Sequence, residues 1–537
     1  MTGSSKRSLY ALWLVLIAAF AVLHAVHLRA DFPNHSPWMS DWAKYTDEGW
    51  YGNAAVRAHL FGSWYMPGDF NPAPAVPVWP FLEWILFFFT GVTIEAARGL
   101  AVFFFFANLL LSYMLLRNRG PRWMALLAVT LMVTSPFLYC FSRLAILEPM
   151  LTALTLAALN LSVRLPRMRR PLVASAGIGL LFTLMMLTKT TAIFLLPALG
   201  WAILLAHWRA RQQAMHCALA AAASFAVSFG LWMALVVHLG LLADYRYLFF
   251  VNKYIKPKEF YWPLFSFWWS LHGGLWVGHI LVPLAGCVVL GAVIAGMILP
   301  RRRAWGRKLL LDPVFGASIL AAAGYILFMT YQNHPQPRYF AVVAVFCVFV
   351  VAQGVEGLMI PIDPARQIKI NHARRLGFAL IALIAVTVVV NSVSVLNYAL
   401  HPEYTFVDAA QRLVEYMDTH PNGKRLLVSI SGDDLTMMTH VPSICDDFGT
   451  QELVAKLNAY QPGWFATWND LDPGTLEDLH NHYLLEQVAT FRAFDDPERN
   501  KLVLFKLHPL PAGRFRDPTV QNLQVPLPGD KIAIPIE

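Results

Sequence analysis

Charge is what this chain has least of. Of its 537 residues only 14% are Asp, Glu, Lys or Arg, against about 25% in an ordinary soluble protein. So little charge cannot hydrate a whole molecular surface, which argues against a freely soluble globular protein. Cysteine is scarce as well. Of the five, Cys140, Cys217, Cys287 and Cys347 lie in or beside apolar runs, and only Cys445 lies in a polar region. No pair can staple an outside domain, so neither a disulfide framework nor a cysteine metal site is expected. A Gly-rich phosphate loop, a Walker motif and a zinc-binding His pair are all missing, and with them the usual nucleotide and zinc chemistries. Lys and Arg outnumber Asp and Glu by 42 to 33, a net charge of +9. The basic residues fall between apolar runs, where they act as cytoplasmic anchors, so no nucleic acid is implied.

What is abundant is apolar. Hydrophobic residues make up 57% of the chain, and the mean hydropathy is +0.49. Runs at 9–26, 100–116, 124–138, 172–187, 218–237, 275–299, 314–329, 341–352 and 376–390 approach or reach the roughly 20 residues that span hydrocarbon. The first run follows Lys6 and Arg7 but ends without a small-residue cleavage site, and reads as an uncleaved helix. Six basic clusters, from Lys6/Arg7 to Lys369/Arg374/Arg375, separate the runs. With all six cytoplasmic, the connections 30–100, 135–147, 188–192, 241–274 and 331–338, and everything after 397, lie outside. The sequence therefore predicts about eleven crossings of a plasma (inner) membrane, with the N-terminus cytoplasmic and the C-terminus extracytoplasmic. Segment 79–90 is apolar but short. Counting it as a crossing would invert every later loop, so it reads as a juxtamembrane helix in the outer leaflet, with Trp79 and Trp84 at the interface.

This topology sorts the lone polar residues. Arg143, Glu148, Lys189, His334 and Arg338 all fall at outer helix ends, where ionisable groups are costly and usually functional. The outside loop 30–78 carries Asp31, Asp41, Asp47, Glu48 and Asp69, a helical stretch at 52–60 and a proline-rich segment at 71–80. From 399 the composition turns soluble. A helix at 406–419, strands at 425–430, 463–468 and 501–507, and a helix at 473–482 predict a small α/β domain with a Pro-rich tail. The pairs Asp433-Asp434 and Asp446-Asp447 read as turn residues rather than metal ligands. The fold class is thus an α-helical polytopic membrane domain over 1–398 with a soluble α/β domain over 399–537.

Several motifs, in order and on one side of the membrane, resemble those of the GT-C membrane glycosyltransferases. The similarity is to the protein O-mannosyltransferase and aminoarabinose-transferase group, which uses polyprenyl-phosphate sugars. Asp47-Glu48-Gly49-Trp50-Tyr51 resembles that group's Asp-Glu-x-x-Tyr loop motif, and Pro72 to Thr90 its proline-rich stretch and juxtamembrane helix. Ala97-Arg98, Thr134-Ser135-Pro136, Ser142-Arg143 with Glu148-Pro149, Thr188-Lys189 and Arg338-Tyr339 resemble later family segments. Two positions depart from the pattern: Asn71 or Ala73 stands where some members have Lys, and Thr190 follows Lys189 in place of Gly.

The resemblance implies sugar transfer from a polyprenyl-phosphate donor to an extracytoplasmic hydroxyl, with inversion. Asp47 would be the general base and Glu48 its partner or a sugar ligand. Arg143, Lys189, Arg338 and His334 would hold the donor phosphate, supported by Tyr51, Glu148 and Tyr339. Such chemistry needs a carboxylate to take the hydroxyl proton and cations to steady the departing phosphate. No cofactor is implied, and a divalent-metal requirement stays open. The partners would be the lipid-linked sugar, membrane lipids and a glycan, lipid or protein acceptor. The competing readings are a lipid-pyrophosphate-dependent GT-C enzyme, a transporter, and a structural or sensory protein whose C-terminal domain binds a partner. Transporters show inverted repeats and midplane charges, neither of which is visible here. A structural or sensory role leaves the acidic loop and the outer cations unexplained.

Overall fold

A segment that crosses lipid must satisfy its own backbone hydrogen bonds and clothe them in apolar side chains, and the long runs do both. The computed structural model of the chain describes residues 3–251, 281–297, 303–331, 336–359, 372–469, 472–497 and 499–510. His334, the aromatic loop residues Trp268, Trp269 and His272, and the tail at 511–537 lie outside them. Seven described helices are long and apolar enough to cross a membrane, or eight when the bent pair formed by Arg122–Val133 and Pro136–Ser142 counts as one. The chain is thus a multi-pass membrane protein.

The membrane body is built from α1 (Gly3–Ala25) and then, after two connecting helices, α2 (Asp47–Phe61) and α3 (Val78–Thr90), from α4 (Ile94–Arg117), α5 (Arg122–Val133), α6 (Pro136–Ser142), α7 (Glu148–Ser162), α8 (Pro171–Thr188), α9 (Leu196–Ala206) and α10 (Arg211–His238). It continues through α11 (Leu242–Arg246), α12 (Leu281–Met297), α13 (Arg303–Leu310), α14 (Pro313–Tyr331), α15 (Phe340–Met359) and α16 (His372–Leu400). The 66° bend between α5 and α6 has a local cause. Pro136 disfavours helical geometry at Ser135, whose ψ is 117°, and the Ser135 hydroxyl then caps the new helix by accepting from Leu138 N at 3.2 Å.

The C-terminal unit opens with α17 (Thr405–Thr419). Its buried Phe406, Ala409, Ala410, Leu413, Val414 and Met417 recur at helical spacing and give it one apolar face. Then come β1 (Lys424–Val428), α18 (Gly432–Thr439), β2 (Ser443–Ile444), α19 (Leu453–Tyr460), β3 (Pro462–Trp468), α20 (Pro473–His482), β4 (Tyr483–Arg492) and β5 (Lys501–Pro509). The sheet is mixed, in the order β2-β1-β3-β5-β4. β1 runs parallel to β2 and β3, and β5 is antiparallel to β3 and β4. All of β3 is buried, as befits the middle strand of a sheet covered on both faces. Asp433 and Asp434, read from sequence as turn residues, instead occupy the first turn of α18 and are buried. Carboxylates favour a helix N-terminus as well as a turn, so local pattern alone did not separate the two.

Helix α2 lies between the two halves of the molecule, and its small residues are the reason. A Cβ on Gly49 would come within 2.2 Å of the backbone of Asp433 and Asp434. A Cβ on Gly52 would come within 2.3 Å of the Glu83 carboxylate on α3. Gly49 N donates to Asp434, and Trp50 Nε1 donates to Ile430 O at 3.3 Å. Deeper in the same face, Arg57 reaches Ser443 O at 2.7 Å, Asp433 at 3.2 Å and Asp69 at 3.3 Å. Lys456 meets Asp69 from the other side at 3.2 Å. Burying an ion without its partners is costly, so this network fixes the segment 30–78 and the C-terminal domain to one another. At the far end Asp31 caps α17, accepting from Thr405 N at 2.7 Å.

Candidate active site

Asp47 opens α2 next to Thr46 and is 2% exposed. One carboxylate oxygen lies 2.9 Å from Arg338 Nη2; the other accepts from the Thr46 hydroxyl at 3.2 Å. Arg338 stands in a short turn, Pro337–Tyr339, at the mouth of α15. It also holds Asp41, through Nη1 at 2.6 Å and its backbone N at 2.8 Å. One guanidinium therefore bridges two carboxylates, a use that suits its planar fork of donors. Asp41 is itself locked, capping the turn at Trp42–Lys44 by accepting from Ala43 N at 2.9 Å.

Lys189, at the end of α8, pairs with Glu148 at the start of α7. Its ammonium lies 4.7 Å from the centroid of the Tyr339 ring and 5.9 Å from that of Tyr51. Asp47 feels Lys189 as well as Arg338, so Asp47, Tyr51, Glu148, Lys189, Arg338 and Tyr339 form one cluster. Burial raises the Asp47 pKa above the ordinary carboxylate value, and the lowering pull of Arg338 and Lys189 does not cancel it. Tyr51 is pushed well above its usual value, by burial first and by the Asp47 charge second. Tyr51 therefore stays protonated, and Asp47 holds a proton more tightly than a solvated aspartate does.

Glu48 and Arg143 stand elsewhere. Glu48 turns away from its neighbour to take Arg98 in a bidentate pair, 2.7 Å from Nε and 2.6 Å from Nη2, and it accepts from Ala145 N at 2.8 Å. Arg98 also donates to Leu28 O and Ala30 O. Glu48 thus ties α2 to α4 and to the turn before α7. Arg143 binds the carbonyls of His27 at 2.6 Å and Leu23 at 3.3 Å and stacks on Tyr139. It lines a separate small cleft with Arg98 and Asp31, while Glu148 is taken by Lys189. Sequence reasoning missed the part played by Asp41, the second acid on Arg338. It also missed Arg98 as the partner of Glu48, although both residues lay in the motifs singled out. Among the described residues no group of three or more His, Cys, Asp and Glu side chains is placed to hold a metal ion.

An acidic helix, cations at the ends of apolar helices and an α/β unit packed against that helix describe the class of protein, a multi-pass membrane protein with a buried cluster of acids and cations. Comparison with known proteins shows what this arrangement is similar to. Residues 72–233 match the model of the dolichyl-phosphate-mannose-protein mannosyltransferase family. The structure superposes on ArnT from Cupriavidus metallidurans bound to undecaprenyl phosphate with a TM-score of 0.59 at 13% identity, covering 92% of this chain and 98% of that one. It superposes on the archaeal oligosaccharyltransferase AglB from Archaeoglobus fulgidus, in complex with an inhibitory peptide and a dolichol-phosphate, with a TM-score of 0.52 at 12% identity, covering 92% and 74%. At such identities the likeness is one of fold. A search of curated protein sequences finds no match. The fold is thus that of the GT-C membrane glycosyltransferases, and the stretch 72–233 is similar to the mannosyltransferase family within it.

Proposed function

We propose that the protein moves a sugar from a polyprenyl-phosphate donor to an extracytoplasmic acceptor hydroxyl with inversion, and that Asp47 is the general base. The observation that carries this reading is the pairing of a buried carboxylate with Arg338 at 2.9 Å beside a second cation, Lys189. A base and phosphate-seeking cations stand in one buried cluster, the pairing that the displacement requires.

The charge balance suggests an order of events. Arg338 serves Asp41 and Asp47, and Lys189 serves Glu148. A donor phosphate competes for the same N–H groups, since guanidinium and phosphate oxygens pair strongly. As it draws on Arg338 it loosens that group's hold on Asp47, whose proton affinity rises when the acceptor hydroxyl must lose its proton. Tyr339, under both Lys189 and Arg338, keeps the two cations oriented. The membrane domain is 1–398, with N-terminus cytoplasmic, and the loop and the domain from 399 onward are extracytoplasmic. Eleven crossings follow if shorter apolar helices such as Leu281–Met297 also span.

The test is a transfer assay in membranes with labelled polyprenyl-phosphate sugars, comparing wild type with Asp47→Asn. A positioned base is worth about 10²–10⁴-fold in rate, so Asn should lower kcat by that much. Arg338 keeps Asp41, so the fold should survive. Full activity in the variant removes Asp47 as the base.

A further inference from the structure

The cleft of about 260 Å³ beside Asp47 is not used by the chemistry above. One wall is Trp42, Tyr45 and Thr46 of the first outside loop; the other comes from the C-terminal domain, from Asp446 and Asp447 through Thr467 and Trp468 to Asp472 and Arg499. Thr46 is among its lining residues, and the Thr46 hydroxyl donates to Asp47 at 3.2 Å. The donor cations Lys189 and Arg338 do not line it.

Its walls are fixed in advance. The Arg499 guanidinium stacks 4.5 Å from the centroid of Trp42. Tyr45 meets Trp468 edge to face at 4.9 Å, and Trp468 Nε1 donates to Ser431 at 2.8 Å. Asp472 caps α20, accepting from Thr475 N at 3.0 Å. Asp446 is different. Its Oδ1 is buried, and it makes no hydrogen bond among the described residues. A buried acceptor without a donor costs roughly 1–3 kcal/mol, so such an atom marks a place where a ligand donor or a water belongs.

Charge narrows the ligand. Two carboxylates, Asp447 and Asp472, line it with the buried Asp446 and one guanidinium, Arg499. Like charges juxtaposed at an interface are repelled, so a phosphorylated, sulfated or uronic group is disfavoured. Hydroxyl donors meeting carboxylate acceptors make the stronger, charge-assisted kind of hydrogen bond. Aromatic rings beside them offer apolar faces with polar edges. The volume falls just below the ~300–1,000 Å³ range of small-molecule sites, which fits a short segment of a longer chain. We infer that this cleft is the acceptor site, and that it takes a neutral, hydroxyl-rich glycan segment whose reacting hydroxyl is delivered past Thr46 to Asp47.

This rests on the transfer reading for its purpose, and the test separates the two. The full-length protein, purified in detergent, is applied to a glycan array carrying neutral, sulfated and uronic oligosaccharides. Neutral glycans should be retained and anionic ones should not. Asp447→Lys should lower retention of the neutral glycans at least tenfold, and Asp447→Asn several-fold, should the lysine variant fail to fold. Asp47→Asn, expected to slow transfer, should still bind them. Retention of anionic glycans only, no retention, or equal retention by wild type and both Asp447 variants overturns the proposal. Neutral-glycan retention without transfer from any polyprenyl-phosphate donor supports the cleft and sinks the donor reading alone.

Discussion

Glu48 offers the sharpest separation of chemistry from architecture. Next to Asp47 in the same motif, it was expected to orient the base or bind sugar, yet it is spent on Arg98. Their side chains are 1% and 5% exposed and meet at 2.6 Å. Removing one member of a buried pair leaves an uncompensated ion and typically costs about 3–5 kcal/mol. Arg98 retains the carbonyls of Leu28 and Ala30 at 2.8 and 2.6 Å, so Glu48→Gln should fall at the lower end, about 3 kcal/mol. Arg98→Met strands the Glu48 carboxylate and should cost a similar amount. In Glu48→Gln/Arg98→Met neither ion is left, and the Gln oxygen can still accept from Ala145 N. The double variant should then lose about 3 kcal/mol, not the ~6 kcal/mol of independent sites. The assay is denaturant unfolding of the detergent-solubilised protein followed by tryptophan fluorescence, alongside transfer rates. The clamp reading expects activity to follow stability, with the double variant recovering part of both. If Glu48→Gln loses transfer while keeping wild-type stability, or if the double variant is stable and inactive, Glu48 meets the substrate and the reasoning fails.

Two further outcomes follow from the same contacts. Gly49→Ala places a methyl within 2.2 Å of the Asp433–Asp434 backbone, so α2 and the C-terminal domain must separate. Overpacking of this kind costs about 1–3 kcal/mol, and limited proteolysis should release the domain faster, whereas an unchanged digestion rate contradicts the close approach. Burial, and then the neighbouring Asp447 charge, push Asp446 from 3.8 up to about 7. The folded state thus holds this proton more tightly than the unfolded chain does, so its stabilising contribution is present at low pH and lost as pH rises towards 7. Melting temperatures between pH 5 and pH 8 should fall less in Asp446→Asn than in wild type; equal falls would show that Asp446 does not titrate there.

The legibility of the site depended on sequence distance. Asp47, Tyr51, Glu148, Lys189, Arg338 and Tyr339 were each picked out from motif and sidedness, and they are the residues that now stand together. Motif adjacency misled where side chains point in different directions. Glu48 follows Asp47 directly, but successive helical residues project about a quarter-turn or more apart, and it faces α4. Arg143 sat in the expected segment but past the α5–α6 bend, and finds backbone carbonyls rather than Asp47. Asp41 gave no local signal beyond being one of several loop acids. Its role exists only because Arg338, 297 residues away, returns to it.

Composition and periodicity alone determined that this chain lives in lipid, that its polar residues gather at helix ends, and that an α/β unit follows the last apolar run. Those properties are local, because hydrophobic runs, caps and strand alternation are written within a few residues. Only the tertiary structure decided which acid meets which cation, that α2 is gripped between membrane helices and α18, and that a cleft opens beside Thr46. Such pairings are long-range, and their energies come from burial shared among segments far apart in the chain.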